Sequence, residues 1–295
     1  MIHIPQFNID KNLWIEGNLL WGKKLALEIR KQLAQNVKEK NIEPGLAVIL
    51  VGEDEASKIY VGSKEKVSRE IGYKSIVQRM RSDVREEEIL EVVNDWNRDS
   101  SIHGILVQLP LPGAINERNI LQAISPRKDV DGFHFENIGR LHAKSEGIIP
   151  CTPLGIMVML KEIDEKLTGL NTVVLGRSNI VGKPMAQMLM DHSQATVTIC
   201  HSKTQNLDYY IQNADIIVSA MGVRNIIKNE WVKNGAIIID VGMHRAENGV
   251  CGDLDYKELK EKARYITPVP GGVGPMTIAM LMYNTYNNAL KARQG

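Results

Sequence analysis

Four short stretches of this sequence hold residue types that could do chemistry. In the first, Tyr60 and Lys64 stand four apart within a pattern from about Ala56 to Glu70 that reads as a helix, so they share one face of it. That face is either part of a surface helix with a half-buried tyrosine or the edge of a site. In the second, Gln108 closes the apolar run Ile105-Leu106-Val107 and is followed by Leu109-Pro110-Leu111-Pro112, whose prolines stop a strand. A polar residue at the carboxyl end of a parallel strand stands where α/β folds hold ligands, although it could equally satisfy loop backbone. The third is Lys128-Asp129-Val130-Asp131-Gly132. Two carboxylates so placed read as a turn, a metal site or a substrate anchor, and no third ligand at a suitable spacing supports the metal. The fourth is Val173-Val174-Leu175-Gly176-Arg177-Ser178-Asn179-Ile180-Val181-Gly182-Lys183-Pro184. Here an apolar strand ends at a glycine, a polar loop follows, and a second glycine and a proline open a helix. Gly176 and Gly182 let backbone turn sharply beside a ligand, and free N–H groups at the helix start would attract an anion. The spacing is not G-x-G-x-x-G, so the loop is either a nucleotide cradle or an ordinary strand-to-helix turn.

The elements that must position these residues follow from the hydrophobic pattern. Leu25, Ile29, Leu33 and Val37 recur every four residues in an amphipathic helix over 24–40, and Gly45–Gly52 is an apolar run between glycines, a buried strand. Ser75–Arg79 reads as a strand, Arg85–Trp96 and Ile115–Ile124 as helices, and residues 1–18 as a surface lead-in. Pro150-Cys151-Thr152-Pro153 marks a boundary and a helix start, with the helix over Ile156–Leu167. Cys151 is either a nucleophile or a packed thiol; with no histidine partner in view, the packed thiol is the better reading. Beyond it, strands at Thr172–Leu175, Thr196–Cys200, Ile216–Ser219 and Ala236–Val241 alternate with helices at Met185–Met190 and Leu207–Gln212. That alternation predicts a doubly wound parallel sheet with small or polar residues at every strand end: Gly176, His201-Ser202-Lys203-Thr204, Ala220-Met221-Gly222 and Gly242. An acidic residue normally meets a free ribose 2′-hydroxyl after the second strand. Ser202 and Lys203 stand there instead, with Arg177 in the glycine loop, and these donors suit the 2′-phosphate of NADP. His201 is either ligand-facing or a plain loop residue. The Thr267–Pro275 segment, three glycines among prolines, is a surface loop or a place where backbone passes close to a flat ligand, and a final helix runs over Met276–Leu290.

Composition narrows the class. The 295 residues are 43% hydrophobic and 24% charged with a net charge of +1, ordinary for a globular enzyme of one large or two medium domains. Neither the charge nor the 5% aromatic content supports nucleic acid or an acidic membrane as partner. Cys151, Cys200 and Cys251 are few, scattered and without metal-ligand spacing, which fits reduced thiols in a cytoplasmic setting and no metal. No apolar run reaches membrane-spanning length, and the first residues show no secretion signal.

Taken together, Tyr60-Val61 with Lys64, Gln108 to Pro112, Lys128 to Phe133, Pro150 to Pro153, Gly176 to Pro184, His201 to Thr204 and the loop at 268–275 resemble the bifunctional methylenetetrahydrofolate dehydrogenase/cyclohydrolase family over residues 20 to 290. The resemblance implies two α/β domains. A folate-binding catalytic domain would cover 1–152, with the helix 276–295 packing back onto it, and a Rossmann-type NADP domain would cover 153–275. It implies a dehydrogenase that uses NADP and a cyclohydrolase acting at one site in one-carbon metabolism and purine biosynthesis, and a cytoplasmic homodimer. It also implies Lys64 as the hydrolytic residue, Gln108 orienting that lysine, Tyr60 positioning folate and lysine, and Asp131 holding the pterin. Leu109, Pro270 and Gly271 would join the substrate site, while Gly176, Arg177, Ser178, Ile180, Gly182, His201, Ser202, Ala220, Gly222 and Gly242 would line the cofactor. Two other readings are a dehydrogenase with weak or absent cyclohydrolase activity and a non-catalytic nucleotide-binding module. The chain departs from the family pattern at Trp21, where aspartate is usual, at Glu55 and Phe135, where proline is common, and at Met243-His244-Arg245, where isoleucine and asparagine usually follow Gly242. It also carries about ten extra residues at its start.

Overall fold

The structure, a computed structural model, describes residues 3–163, 166–246 and 249–294. In chain order the strands are β1 (Ile15–Glu16), β2 (Leu19–Leu20), β3 (Gly45–Val51), β4 (Lys74–Met80), β5 (Gly104–Val107), β6 (Asn171–Leu175), β7 (Thr196–Cys200), β8 (Ile216–Ser219), β9 (Ile237–Asp240), β10 (His244–Ala246), β11 (Gly249–Cys251) and β12 (Tyr265–Ile266). The helices are α1 (Gly22–Lys40), α2 (Glu55–Glu70), α3 (Glu86–Arg98), α4 (Glu117–Ala123), α5 (Phe135–His142), α6 (Cys151–Glu162), α7 (Gly182–His192), α8 (Leu207–Gln212), α9 (Tyr256–Lys260) and α10 (Val273–Gln294). Among the described residues, no helix is long and apolar enough to cross a membrane.

The chain forms two compact units. The first gathers Ile29–Cys151 and the end of the chain from Ile278; the second gathers the described residues up to Glu28 and Thr152–Thr277. In the first unit, β4, β3 and β5 form a parallel sheet with β3 in the middle. Every residue of β3 is buried, as a central strand covered on both faces requires. Ala47, Ile49 and Val51 pack with Ile89 and Val93 of α3 and with Ile105 and Val107 of β5. The helix α2 starts at Asp54, whose carboxylate accepts the Ser57 N–H at 2.8 Å.

The second unit holds a seven-stranded sheet in the order β1-β2-β12-β9-β8-β6-β7. From β2 to β7 all neighbours are parallel; β1 and β2 are antiparallel. The chain leaves β6 for β7 on one side and returns to β8 on the other, so the order reverses between β6 and β8. In open α/β sheets that reversal is where ligands enter, beyond the carboxyl ends of the strands.

The amino-terminal segment is not the surface lead-in that its composition suggests. Its strands β1 and β2 extend the sheet, and Trp14 is fully buried. The buried Glu162 carboxylate accepts the N–H groups of Phe7 at 2.7 Å and Ile9 at 3.2 Å, while Lys161 and Lys11 reach back to the Ile4 and Ile163 carbonyls. Removing that carboxylate leaves the buried Ile9 N–H without its acceptor. Glu162→Ala is therefore expected to lose about 2–3 kcal/mol of stability in chemical denaturation, and Glu162→Gln less, because its amide oxygen still accepts.

Three helices begin earlier than the sequence reading places them. Pro153, Pro184 and Pro275 each stand third in their helix, not at its head. The first-turn N–H groups have no intrahelical partner, so proline costs nothing there. At its other end α6 stops at Glu162; of the extension expected to Leu167, residues 164–165 lie outside the described residues.

Candidate active site

The first unit brings Lys64, Gln108 and Asp131 together. Lys64, on α2, is 8% exposed, and its Nζ donates to Gln108 Oε1 at 2.9 Å. Gln108 directly follows β5, and its Nε2 donates to the Leu109 carbonyl at 2.7 Å, ahead of a cis Leu109–Pro110 bond. The glutamine satisfies loop backbone with its amide nitrogen and the lysine with its oxygen. Burial pushes the Lys64 amine down, and the nearby Asp131 carboxylate pulls it back up. Burial likewise pushes Asp131 up, against the pull of Lys64. Tyr60 lies one turn before the lysine, half-buried, with its phenol pushed up by burial.

Asp129 and Asp131 divide the duties the sequence leaves open. The buried Asp129 carboxylate accepts the His134 N–H at 2.8 Å and the Asn137 amide at 2.9 Å, so it staples the turn. Asp131 is left to face Lys64. Its backbone is held by a residue with no local sequence signal: Asn284 on α10 donates to the Val130 and Ile149 carbonyls at 2.9 and 3.0 Å. Gly132 has φ +72°, and a Cβ there would meet Pro150 N at 2.8 Å, which is why glycine ends the motif. Cys151 is a packed thiol. It is buried, donates to the Val130 carbonyl at 3.2 Å and has its pKa pushed far up by burial, so no nucleophilic thiolate forms.

In the second unit the glycine loop is closed on itself. Gly176 has φ +114°, and a Cβ there would lie 2.3 Å from the Ala220 carbonyl; one on Gly182 would lie 2.1 Å from the Gly176 carbonyl. Gly176 and Ala220 thus face each other across the β6–β8 switch point. The Val181 and Gly182 N–H groups are not bare, as the sequence reading has them: Ser178 Oγ accepts both, at 3.1 and 3.3 Å. The serine's own hydroxyl proton remains for an incoming acceptor. Arg177, Ser202 and Lys203 are exposed and Ile180 is 43% exposed. His201 shapes its loop, with Nδ1 accepting the Lys203 N–H at 3.1 Å and its own N–H donated to Thr204. These donors, with no carboxylate after β7, fit a dinucleotide bearing a 2′-phosphate.

Two further carboxylates, absent from the sequence-based site, fix this edge. Asp240 accepts the Gly242, Asp253 and Leu254 N–H groups; Asp253 accepts the Gly222 N–H at 3.1 Å and the Ser219 hydroxyl at 3.2 Å. Burial raises Asp240 to about 6. Pro270 and Gly271 lie in the same unit. Gly271 has φ +106° with Trp21 against it, so that a Cβ would come within 3.1 Å of the indole, and its carbonyl accepts the Lys23 N–H at 2.8 Å.

Fold and site define a two-unit α/β protein, one unit carrying a buried lysine–carboxylate cluster and the other a dinucleotide-type sheet. Residues 20–131 match the family model of the tetrahydrofolate dehydrogenase/cyclohydrolase catalytic domain, and residues 150–293 match that of the family's NAD(P)-binding domain. The chain is 52% identical over 271 residues to the bifunctional protein FolD of Campylobacter concisus, covering 90% of this chain and 95% of that one. Among solved structures, the bifunctional FolD enzyme of Campylobacter jejuni superposes with a TM-score of 0.90 at 49% identity, over 92% of this chain and 98% of that one. The Trypanosoma brucei enzyme, solved with NADP cofactor and inhibitor, does so with a TM-score of 0.90 at 34% identity, over 95% of this chain and all of that one. The chain belongs to the tetrahydrofolate dehydrogenase/cyclohydrolase family.

Proposed function

We propose that this protein oxidises 5,10-methylenetetrahydrofolate to the 5,10-methenyl form with NADP and hydrolyses that product to 10-formyltetrahydrofolate. The observation that carries the reading is the buried Lys64 amine, held by Gln108 and facing Asp131, in a chain of this family. NADP, when bound, supplies the acceptor for the hydride. Arg177, Ser202 and Lys203 would take its 2′-phosphate. Gly176, Ser178, Ile180, Gly182, His201, Ala220, Gly222 and Gly242 would shape the edge it lies on.

Loss of hydride from the methylene carbon needs orientation more than acid–base help, because the adjacent folate nitrogen donates its lone pair to the carbon as the hydride leaves. Tyr60, Leu109, Asp131, Pro270 and Gly271 supply that orientation, with Asp131 accepting hydrogen bonds from the pterin. Hydrolysis needs proton transfer. The neutral Lys64 amine takes a proton from the water that attacks the methenyl carbon. It returns a proton to the ring nitrogen as the carbon–nitrogen bond opens, and the hydroxyl proton of the adduct leaves to solvent, so one proton is released overall. Gln108 keeps the amine aimed. The family resemblance supports a cytoplasmic homodimer serving one-carbon metabolism and purine biosynthesis.

Because the neutral amine is the base, hydrolysis is expected to rise with pH through the Lys64 pKa. Asp131 favours the ammonium form. Asp131→Asn should therefore move that rise to lower pH and also raise KM for the folate; a pH–rate profile of methenyl hydrolysis checks the sign. The function itself is tested with methylenetetrahydrofolate and either NADP or NAD, following reduced cofactor and methenyl compound together. NADP reduction with little methenyl build-up, and hydrolysis of added methenyl substrate faster than in buffer, is the expected result. Methenyl accumulation would mean a dehydrogenase alone. No reduction with either cofactor would leave a nucleotide-binding module.

A further inference from the structure

The edge formed by Gly222 and Gly242 is fixed from behind by a group that the reaction does not use. Asp253 is wholly buried, at 0% exposure, and a carboxylate there is tolerated only with its oxygens hydrogen-bonded. Its Oδ2 accepts from Gly222 N and Ser219 Oγ, and its Oδ1 meets His244 Nε2 at 2.7 Å. Gly242 packs over the same oxygen, since a Cβ on it would fall 2.1 Å from Asp253 Oδ1. The two aspartates are joined through the Asp253 N–H, which donates to Asp240 Oδ1 at 3.1 Å. Ser219 ends β8 and Gly222 follows three residues later, with φ +66° and open space where its Cβ would be. One side of that glycine is thus tied to Asp253, and the other is free for a ligand.

Within this arrangement the His244 imidazole is the partner that completes Asp253, and its side chain remains 21% exposed. It stands where the resemblance leads one to expect asparagine. We propose that His244 is a positioning residue for the nicotinamide nucleotide: through Asp253 it holds the Gly222 backbone at the carboxyl end of β8, and so sets the affinity for NADP. The inference rests on the reading of the second unit as the NADP unit. Without the imidazole, Asp253 keeps an unpaired buried oxygen. It then turns toward another donor, and that movement loosens its hold on the Gly222 N–H.

The test is direct binding of NADPH, read by its fluorescence, to the wild-type chain and to His244→Ala, His244→Phe and His244→Asn. Phenylalanine keeps the bulk without the donor, so a chain that tolerates alanine poorly still gives an answer. Both non-donor variants are expected to bind NADPH about tenfold more weakly. KM for NADP should rise by a similar factor, with KM for the folate and methenyl hydrolysis nearly unchanged. Asparagine, which still donates, should restore most of the affinity. NADPH affinity within twofold of wild type in both non-donor variants overturns the proposal. So does a parallel fall of every parameter with the melting temperature, which marks a structural role. If the wild-type chain fails to bind NADPH, the NADP reading of the second unit falls and takes this inference with it, an outcome told apart by the wild-type titration alone.

Discussion

Lys64→Met is expected to slow methenyl hydrolysis by about 10²–10⁴-fold while hydride transfer to NADP continues, so that the methenyl compound accumulates in step with reduced cofactor. The substitution suits the site. Methionine keeps the length and apolar stem of a side chain already 8% exposed, and Asp131, whose carboxyl burial already pushes toward the protonated form, can discharge by taking up a proton. The melting temperature should therefore hold, which separates lost chemistry from lost structure. Removal of the ammonium also removes the group that pulls Asp131 down. Burial then favours its protonated form, a donor where an acceptor is needed, so KM for the folate should rise as well. Undiminished hydrolysis in the variant would mean that Lys64 is not the hydrolytic base.

Gly176→Ala should act on the other half of the reaction. The new Cβ would lie 2.3 Å from the Ala220 carbonyl on a backbone at φ +114°. Both are backbone constraints, so no side-chain rotation relieves them; β6 and β8 must part at their carboxyl ends. NADP affinity is expected to fall about 100-fold, for a cost of about 1–3 kcal/mol in stability, with methenyl hydrolysis retained. NADPH titration alongside a hydrolysis assay checks both arms. Unchanged affinity would mean that the cofactor lies elsewhere.

The parts of the fold that were legible in the sequence are those whose cause is local. The strands β7 and β8 and the helix α8 fall where alternation of apolar runs places them, and Tyr60 and Lys64 share a helix face because helical spacing alone requires it. What stayed hidden depends on distant partners. β1 and β2 are two residues each, too short for any periodicity, and exist because β12 lies beside β2. Asp240, Asp253 and Asn284 look like ordinary polar residues until folding buries them against backbone. The glycines beside them offered a trace: Gly242 and Gly252 each have no room for a Cβ against a carboxylate. Helix starts are hard to place for a local reason: the whole first turn tolerates proline, so a proline such as Pro184 marks the turn without marking its first residue.

The pairing of Leu19 with Ile266 bears on how the polypeptide comes into being. As the chain leaves the ribosome, β2 has no neighbour on its inner side until β12, at Tyr265–Ile266, follows. The first unit waits as well, because Asn284, which holds the turn carrying Asp131, belongs to α10. Neither unit can close before β12 has been made, and such long-range closure is slow and leaves strand edges exposed meanwhile. A nascent chain stalled at residue 260 would present both units incomplete, so the assembly of each waits on β12 or α10.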